Sequence, residues 1–342
     1  MMNLKKAKYY LIPALLCLAG IVVIGYYYFF TSFSVLKEKT YIYIDDDDTA
    51  DSVFAKLRSC ASESTMAGLS TLARHYDYAE HIRSGRYAVE PGMNTIDVFR
   101  MLRNGRQEPM MLTIPECRTM EQMAGRLAIK LMIDSTTIAE ALTSQPFCQS
   151  LGYDTCTIGC IFVPNTYEVY WNTSIEKLMD RMGREHDNFW NDERRQKAKA
   201  AGMTPNEVCT LASIIDEETA NNAEKPAVAG MYLNRLNIGM PLQADPTVKF
   251  AMKNFALRRI YKAYLETESP YNTYRYAGLP PGPIKIASIK GIEAVLNHEH
   301  HNYLYMCAKE DFSGTHNFAV TYQEHLRNAD RYAKALNQRG IK

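Results

Sequence analysis

Residues 204–219 read TPNEVCTLASIIDEET, and this pattern predicts a helix with a defined start. Thr204 suits the N-cap, Pro205 suits the first helical position, and Glu207 completes a capping box. Three consecutive acids at 216–218 lie near the predicted C-terminal end, where the helix dipole prefers cations and where like charges repel one another. Because the acids disfavour the helix, we expect them to serve a purpose other than its stability.

Helical phase separates these three acids. At about 100° per residue, Glu218 falls closest to the apolar face, Asp216 lies on its flank and Glu217 points to nearly the opposite side. Entry into apolar surroundings disfavours the ionised carboxylate and raises its pKa. A carboxylic acid that stays protonated near neutral pH serves as a general acid. Phase alone leaves open the alternative that Glu218 pairs with a cation such as Arg235.

A second helix is predicted at 225–238, where Gly239 stops it. Beyond it, Gln243 and Asp245 are alternate residues of a stretch that we expect to be extended, so that both side chains face one side. Pro246 favours the extended conformation of Asp245. These two polar side chains are therefore predicted to line a cleft with Glu218.

Two loops further along the chain complete the predicted cleft. Tyr271, Asn272 and Tyr274 offer stacking faces together with hydrogen-bond donors and acceptors, which suits sugar ligands. The loop at 278–282, which contains Pro281, is pre-organised by its prolines, so ligand binding costs it little entropy. Each loop alone is consistent with a structural turn, and the cleft is indicated by their combination with Glu218.

The N-terminus is predicted to anchor the protein in a membrane. Residues 1–8 contain three lysines and no acid, and residues 9–30 contain no charged residue. A membrane-spanning helix needs about 20 apolar residues, and the positive-inside rule places the lysine-bearing end in the cytoplasm. A cleaved signal peptide is the alternative, but its apolar region is usually only about 7–15 residues long.

Composition excludes several classes of protein. The 342 residues include 39 basic and 38 acidic side chains and are 46% hydrophobic, which excludes disorder, collagen and coiled coil as descriptions of the whole chain. The net charge of +1 argues against a nucleic-acid-binding protein. Without residues 1–8, which carry three basic side chains, 36 basic and 38 acidic residues remain, a balance of −2.

The predicted elements between the anchor and residue 204 mix short helices and strands without βαβ regularity, which indicates an α+β fold. They comprise a helix at 49–60, a turn and a short strand within 81–89, a helix capped by Thr95, a strand at 109–114, a helix that starts at Thr119 and a long charged helix at 174–199.

Seven cysteines lie outside the anchor, and an odd number cannot all pair within one chain. Cys156 and Cys160 allow one local disulfide in an oxidising compartment. The plainest interpretation is that most of the cysteines are small apolar core residues. A zinc finger is disfavoured because no second pair of ligands stands at the required spacing.

Five motifs in this order resemble the endolytic murein transglycosylases of the YceG-like family. The motifs are LASII at 211–215 with the acids that follow, YLNRL at 232–236, LQADPT at 242–247, YNTY at 271–274 and GLPPG at 278–282. Residues 81–106 resemble the LysM-like subdomain of that family, and His316 matches its closing motif. Asp216 stands where relatives generally have glutamate, and Glu217 where they often have lysine.

The resemblance implies an α+β protein with an N-terminal transmembrane helix, a LysM-like α/β subdomain and a mixed α+β catalytic domain. The expected division is a cytoplasmic tail at 1–8, the transmembrane helix at 9–30, a connector with the LysM-like unit at 31–108, a linking region at 109–200 and the catalytic region at 201–342. The implied catalytic residue is Glu218. The implied substrate-binding residues are Gln243, Asp245, Tyr271, Asn272, Tyr274, Pro281 and His316.

The implied activity is endolytic cleavage of peptidoglycan between N-acetylmuramic acid and N-acetylglucosamine, which leaves 1,6-anhydro ends and limits the length of nascent strands. No cofactor and no metal are expected. The expected partners are glycan strands, the bacterial cytoplasmic membrane, and peptidoglycan synthases or division proteins, with no nucleic acid. The catalytic region is expected outside the cytoplasm.

Three alternatives remain at this level. The first is a muramidase-type hydrolase in which Asp216 or Asp245 acts as a second carboxylate. The second is a non-catalytic wall-binding or division scaffold. The third is a metalloenzyme that uses His298, His300 and His301.

Overall fold

The computed structural model describes residues 4–257 and 260–340. The chain divides into two compact units, Met1–Met111 with Glu168–Thr173 and Leu112–Tyr167 with Ser174–Lys342. Helices and two-stranded sheets occur in both units, which agrees with the α+β class.

The first unit begins with α1, Leu4–Phe29. Within it, Tyr9–Phe29 is a stretch of 21 residues with a mean hydropathy of 2.0 and no buried part, and it is the one helix in the described residues long and apolar enough to cross a membrane. The other elements of this unit are β1 (Thr40–Ile44), α2 (Ala50–Leu57), α3 (Glu63–His75), β2 (Gly85–Val89) and α4 (Thr95–Arg103).

The two strands of the first unit are antiparallel, with Thr40 opposite Val89 and Ile44 opposite Gly85. One apolar core fills the space between these strands and the helices. Its fully buried members include Phe33, Ile44, Val53, Leu57, Tyr87 and Val98.

The start of α4 differs from the prediction. Asn94, not Thr95, is the N-cap, because its side-chain oxygen accepts a hydrogen bond from the backbone N–H of Asp97 at 3.0 Å. Thr95 is the first helical residue, and its hydroxyl donates to the backbone carbonyl of Tyr28 at the end of α1 at 2.8 Å. Thr95 therefore stabilises the contact with α1, and Asn94 caps α4.

The second unit contains most of the helices. They are α5 (Met120–Ala128), α6 (Ser135–Thr143), α7 (Gln145–Ser150), α8 (Ile175–Phe189), α9 (Asp192–Ala200), α10 (Pro205–Glu218), α11 (Lys225–Asn237), α12 (Asp245–Ala251), α13 (Ile289–Leu296) and α14 (Tyr322–Gln338). The remaining strands of the chain are β3 (Met110–Thr113), which pairs with β4 (Thr166–Val169), and β5 (Tyr305–Ala308), which pairs with β6 (His316–Ala319).

The predicted long helix at 174–199 is wrong, because the structure has two helices there, α8 and α9. Trp190 lies between them with only 1% of its surface exposed. Asn191 caps the second helix by accepting from the backbone N–H of Arg194 at 3.0 Å. Burial of the indole and the asparagine cap together end one helix and begin the next.

The predicted start of α10 is confirmed, with Thr204 as N-cap and a reciprocal capping box with Glu207. The helix packs against α11 and α13. Its apolar face is completely buried and comprises Val208, Leu211, Ala212, Ile214 and Ile215. This packing places the last turn of α10 at a defined position in the unit.

All eight cysteines are described, and all are free thiols. Cys156 and Cys160 therefore do not form the local disulfide that their spacing allowed. Five cysteines are buried, which agrees with a role as small core residues: Cys60, Cys117, Cys148, Cys160 and Cys209.

Candidate active site

The three acids at the end of α10 have separate environments. Asp216 has a side chain that is 2% exposed and forms an ion pair with Lys225 Nζ at 2.6 Å. Its carboxylate also accepts from the backbone N–H of Ser288 at 2.7 Å and from the Ser288 hydroxyl at 2.8 Å. Asp216 therefore ties α10 to the starts of α11 and α13.

The Glu217 side chain is 19% exposed, against 2% for Asp216, which agrees with its predicted position away from the apolar face. Its carboxylate accepts from Arg118 Nη2 at 2.7 Å and lies 3.6 Å from Lys285 Nζ. These partners engage Glu217 in an ion-pair network outside the cavity described below.

Glu218 is the acid that enters apolar surroundings. Burial raises its pKa to about 7, against an ordinary value of 4.5. A hydrogen bond of 2.8 Å from the Tyr232 hydroxyl to Glu218 Oε1 lowers the pKa, and the nearby charge of Asp245 raises it. At neutral pH, Glu218 therefore holds a proton far more readily than an ordinary glutamate.

The alternative ion pair between Glu218 and Arg235 is not formed. Arg235 donates instead to the backbone carbonyls of Leu242 at 2.8 Å and Leu304 at 2.6 Å. Its guanidinium therefore binds the surrounding backbone, and the side chain that donates to Glu218 is Tyr232.

Glu218 lines a cavity of about 300 Å³. Four predicted site residues line the same cavity: Gln243, Asp245, Tyr274 and His316. Lining residues that sequence reasoning did not assign to the site include Tyr232, Arg235, Met306 and His325. The spacing of Tyr232 and Arg235, three residues apart on α11, is the signal that could have identified them, because such residues share a helical face.

The local conformation around Asp245 differs from the prediction. Asp245 is the first residue of α12 rather than part of an extended stretch, and Gln243 has a positive φ of 50°. Both side chains nevertheless line the cavity. Asp245 Oδ1 accepts from the Tyr274 hydroxyl at 2.6 Å, so the two predicted residues contact each other.

The remaining three predicted residues do not line this cavity in the structure. Tyr271 lines a neighbouring pocket with Phe250 and Lys285. Asn272 is fully buried, and its amide donates to the backbone carbonyls of two loop residues at 2.9 Å each. Pro281 is exposed. Their substrate-binding roles remain predictions, and for Asn272 the observed contacts indicate support of the loop that carries Tyr274.

Two of the three histidines of the metalloenzyme alternative, His298 and His301, contact backbone atoms. His301 Nε2 lies 2.9 Å from the carbonyl of Ala227, and its Nδ1 accepts from the Tyr303 N–H at 3.1 Å. His298 Nδ1 lies 3.0 Å from the Val295 carbonyl. Within residues 4–257 and 260–340, no group of three or more histidine, cysteine or acidic side chains is placed to hold a metal ion.

A partly buried acid with a raised pKa in a polar cavity is the arrangement expected of an enzyme that uses acid catalysis. Comparison with known proteins specifies the family. The sequence profile of the YceG-like family matches residues 42–331, and the chain belongs to this family. The family predicted from the five motifs is therefore confirmed.

Curated relatives carry the name endolytic murein transglycosylase. The Bacillus subtilis (strain 168) protein is 30% identical over 281 residues, which cover 77% of each chain. The Streptococcus pneumoniae serotype 2 (strain D39) protein is 29% identical over 297 residues, or 78% of this chain and 53% of that one. The lytic transglycosylase class expected from the sequence is the class of these relatives.

A solved structure supports the fold. The 2.6 Å crystal structure of a yceG-like protein from Listeria monocytogenes is similar with a TM-score of 0.56 and 26% sequence identity. The similarity covers 85% of this chain and 99% of that one.

Proposed function

We propose that this protein is a membrane-anchored endolytic lytic transglycosylase that cleaves peptidoglycan glycan strands between N-acetylmuramic acid and N-acetylglucosamine. The observation that carries the proposal is the position of Glu218, whose pKa of about 7 suits proton donation and proton acceptance at neutral pH. The names of the relatives support the substrate.

The proposed reaction uses the Glu218 carboxyl group twice. Glu218 first donates its proton to the glycosidic oxygen while the bond between that oxygen and C1 of the muramic acid breaks. The C6 hydroxyl then forms a bond to C1, and its proton returns to Glu218. The 1,6-anhydro product therefore forms without water, and Glu218 ends in its starting state.

The other cavity residues support this reaction through the bound sugars. Tyr274 and Asp245 are held together by their hydrogen bond, and Gln243 lies beside them in the cavity wall. We assign them to positioning the sugar rings, with the Asp245 carboxylate also stabilising positive charge that develops at C1.

The Glu218→Gln variant tests the proposal, because it keeps the shape of the side chain and removes the acid. We expect the release of anhydro-ended glycans from purified peptidoglycan to fall by at least about 10²-fold. Glu217→Gln is the matched control, since its carboxylate binds Arg118 and Lys285 outside the cavity, and it should retain activity. Wild-type release by Glu218→Gln would refute the assignment.

A hydrolase is the second candidate, because Asp245 lines the same cavity as Glu218. Hydrolysis adds one water to the new reducing end, whereas the transglycosylase reaction adds none. Mass spectrometry of the products therefore separates the two activities. Products that are one water heavier than anhydro ends would favour the hydrolase, and the absence of any product would favour a wall-binding scaffold.

We further propose that α1 anchors the protein in the bacterial cytoplasmic membrane, with residues 1–8 inside and the catalytic region outside. The apolar length of Tyr9–Phe29 and the lysines before it support this topology. In that position the enzyme would limit the length of nascent strands beside peptidoglycan synthases or division proteins.

We also propose the division of the chain that the resemblance implies, with a LysM-like unit within 31–108, a linking region at 109–200 and the catalytic region at 201–342. The order of β1, α2, α3 and β2, with the two strands paired, supports a small glycan-binding unit. Glu218 and its cavity support the catalytic assignment of residues after 200.

A further inference from the structure

Glu224 is a buried acid next to the cavity that the proposed mechanism does not use. Its side chain is 8% exposed. Oε1 accepts from the backbone N–H of His316 at 2.6 Å, and Oε2 lies 2.9 Å from His316 Nδ1 and 3.1 Å from the Thr219 hydroxyl. Glu224 stands at the N-cap of α11 but makes no side-chain cap to that helix. Its carboxylate is directed entirely at His316 and Thr219.

The hydrogen bonds around Glu224 determine where the protons lie. The Thr219 hydroxyl accepts from the backbone N–H of Asn221 at 3.1 Å, so its own proton points to Glu224. This hydroxyl and the His316 backbone N–H are both donors, so both Glu224 oxygens act as acceptors in these contacts. A carboxylate only accepts hydrogen bonds, so His316 Nδ1 must carry the proton in the third contact.

This proton assignment leaves a free acceptor at the other ring nitrogen. In a neutral imidazole protonated at Nδ1, Nε2 carries a lone pair. Nε2 of His316 makes no hydrogen bond to any residue in the ranges 4–257 and 260–340, and His316 lines the cavity that contains Glu218. Thr219 directly follows Glu218 and is the C-cap of α10. One carboxylate therefore holds both the end of the helix that carries Glu218 and the ring of His316.

We infer that Glu224 is a positioning residue that holds His316 in the Nδ1–H form, so that Nε2 accepts a hydrogen bond from a hydroxyl or acetamido N–H of the bound glycan. The inference deepens the proposed function and rests on it for the identity of the ligand. A glycan strand presents such donors on every sugar, and the Nε2 lone pair provides a matching acceptor in the cavity wall.

Two substitutions of His316 separate its two nitrogens. Asn at this position places an amide near Nδ1, which keeps the contact with Glu224 and removes the acceptor in the cavity. Gln extends an amide oxygen toward the position of Nε2 and restores an acceptor. We expect His316→Asn to raise KM for defined glycan strands by about 3–10-fold with a smaller change in kcat, and His316→Gln to recover most of the loss.

The tautomer is measured without activity. Full-length protein labelled with ¹⁵N-histidine, studied in detergent by long-range ¹H–¹⁵N spectroscopy, reports which ring nitrogen carries the proton, and the His316 signals are those that disappear in His316→Asn. We expect the Nδ1–H form in the wild type and a loss of that preference in Glu224→Gln. Glu310→Gln is the control, because Glu310 binds Asn317 on the same hairpin and does not line the cavity.

An Nε2–H form of His316 in the wild type, or a wild-type KM in His316→Asn, would overturn the inference. Failure of the proposed function has a different signature, since the wild type would then release no anhydro ends while the tautomer measurement would be unaffected. Anhydro products from His316→Asn with a raised KM would support both.

Discussion

The chemistry proposed for this protein depends on the surroundings of one carboxyl group, that of Glu218. Asp216, Glu217 and Glu218 are consecutive and chemically similar, yet their partners differ. Asp216 pairs with a buried lysine, Glu217 pairs with cations outside the cavity, and Glu218 forms no ion pair with any described residue. Of the three acids, only Glu218 lines the cavity, where the Tyr232 hydroxyl donates to it. Burial without a cationic partner raises its pKa into the range of an acid–base catalyst.

The first prediction at the residue scale concerns the pH dependence of activity. Because Glu218 must be protonated to donate, kcat/KM should fall as the pH rises through about 7. Tyr232→Phe removes the hydrogen bond that lowers this pKa, so the midpoint of the fall should move to higher pH. The profile of kcat/KM against pH on defined glycan strands measures the shift. An unchanged or lower midpoint would show that Tyr232 does not stabilise the Glu218 carboxylate.

The second prediction concerns stability. The pKa of Glu218 is higher in the folded protein than its ordinary value of 4.5, so its contribution to stability is complete below about pH 4.5 and is lost as the pH rises through about 7. Glu218→Gln cannot ionise and should avoid this loss, which amounts to about 3 kcal/mol at most. Thermal unfolding at pH 5 and pH 8 should therefore show a relative gain for Glu218→Gln at the higher pH. Glu217→Gln should show no such gain.

At the scale of elements, the acids at the end of α10 also organise the helices around it. Asp216 contacts Lys225 at the start of α11 and Ser288 at the N-cap of α13. A Cβ atom added to Gly291 would lie 2.6 Å from Asp216 Oδ1, so the close approach of α13 requires glycine there. The helix end that carries Glu218 is therefore held from two sides.

This arrangement predicts the effect of Asp216→Ala. Breaking a buried ion pair leaves the Lys225 charge without its partner, which costs about 3–5 kcal/mol of unfolding free energy. Glu217→Ala removes more exposed ion pairs and should cost at most about 1 kcal/mol. Chemical denaturation of both variants measures the difference.

The same variant tests the hydrolase alternative that assigned Asp216 as a second carboxylate. The oxygens of Asp216 are occupied by Lys225 and Ser288, and Asp216 does not line the cavity. Residual activity of Asp216→Ala should therefore still yield anhydro ends. If the wild type instead released hydrolysed ends and Asp216→Ala released anhydro ends, Asp216 would act in catalysis. That result would contradict its role as a structural residue.

At the scale of the whole molecule, charge and hydropathy separate the N-terminus from the remainder. Residues 1–8 carry three lysines, the exposed apolar stretch follows, and the remainder of the chain is close to neutral. A near-neutral body has little electrostatic attraction to a strongly charged polymer, which fits the proposal that α1 keeps the protein beside its substrate.

Deletion of residues 1–30 tests the anchor. The full chain should sediment with membranes and resist extraction by high salt, whereas residues 31–342 should remain in the supernatant and retain the 1,6-anhydro-forming activity on purified glycan strands. Fractionation followed by product analysis measures both properties. Recovery of the full chain in the soluble fraction would contradict the anchor.

Local patterns in the sequence determined much of the fold. The capping box at Thr204 defined the start of α10, the uncharged run at 9–30 defined α1, and helical phase selected Glu218 among three acids. These features depend on residues within a few positions of one another, so propensity and periodicity are sufficient to predict them. The family followed from short motifs in a fixed order.

Only the tertiary structure decided the partners of these residues. Tyr232 reaches Glu218 from the next helix, Glu224 meets His316 from 92 residues away, and burial of Trp190 divides a helix whose charge pattern is continuous. The pKa of Glu218 depends on what surrounds it in the packed unit, and it is not a property of its neighbours in sequence. Contacts between distant residues arise from packing and leave no local periodic signal, which is why the sequence identified the acid but not the groups that control it.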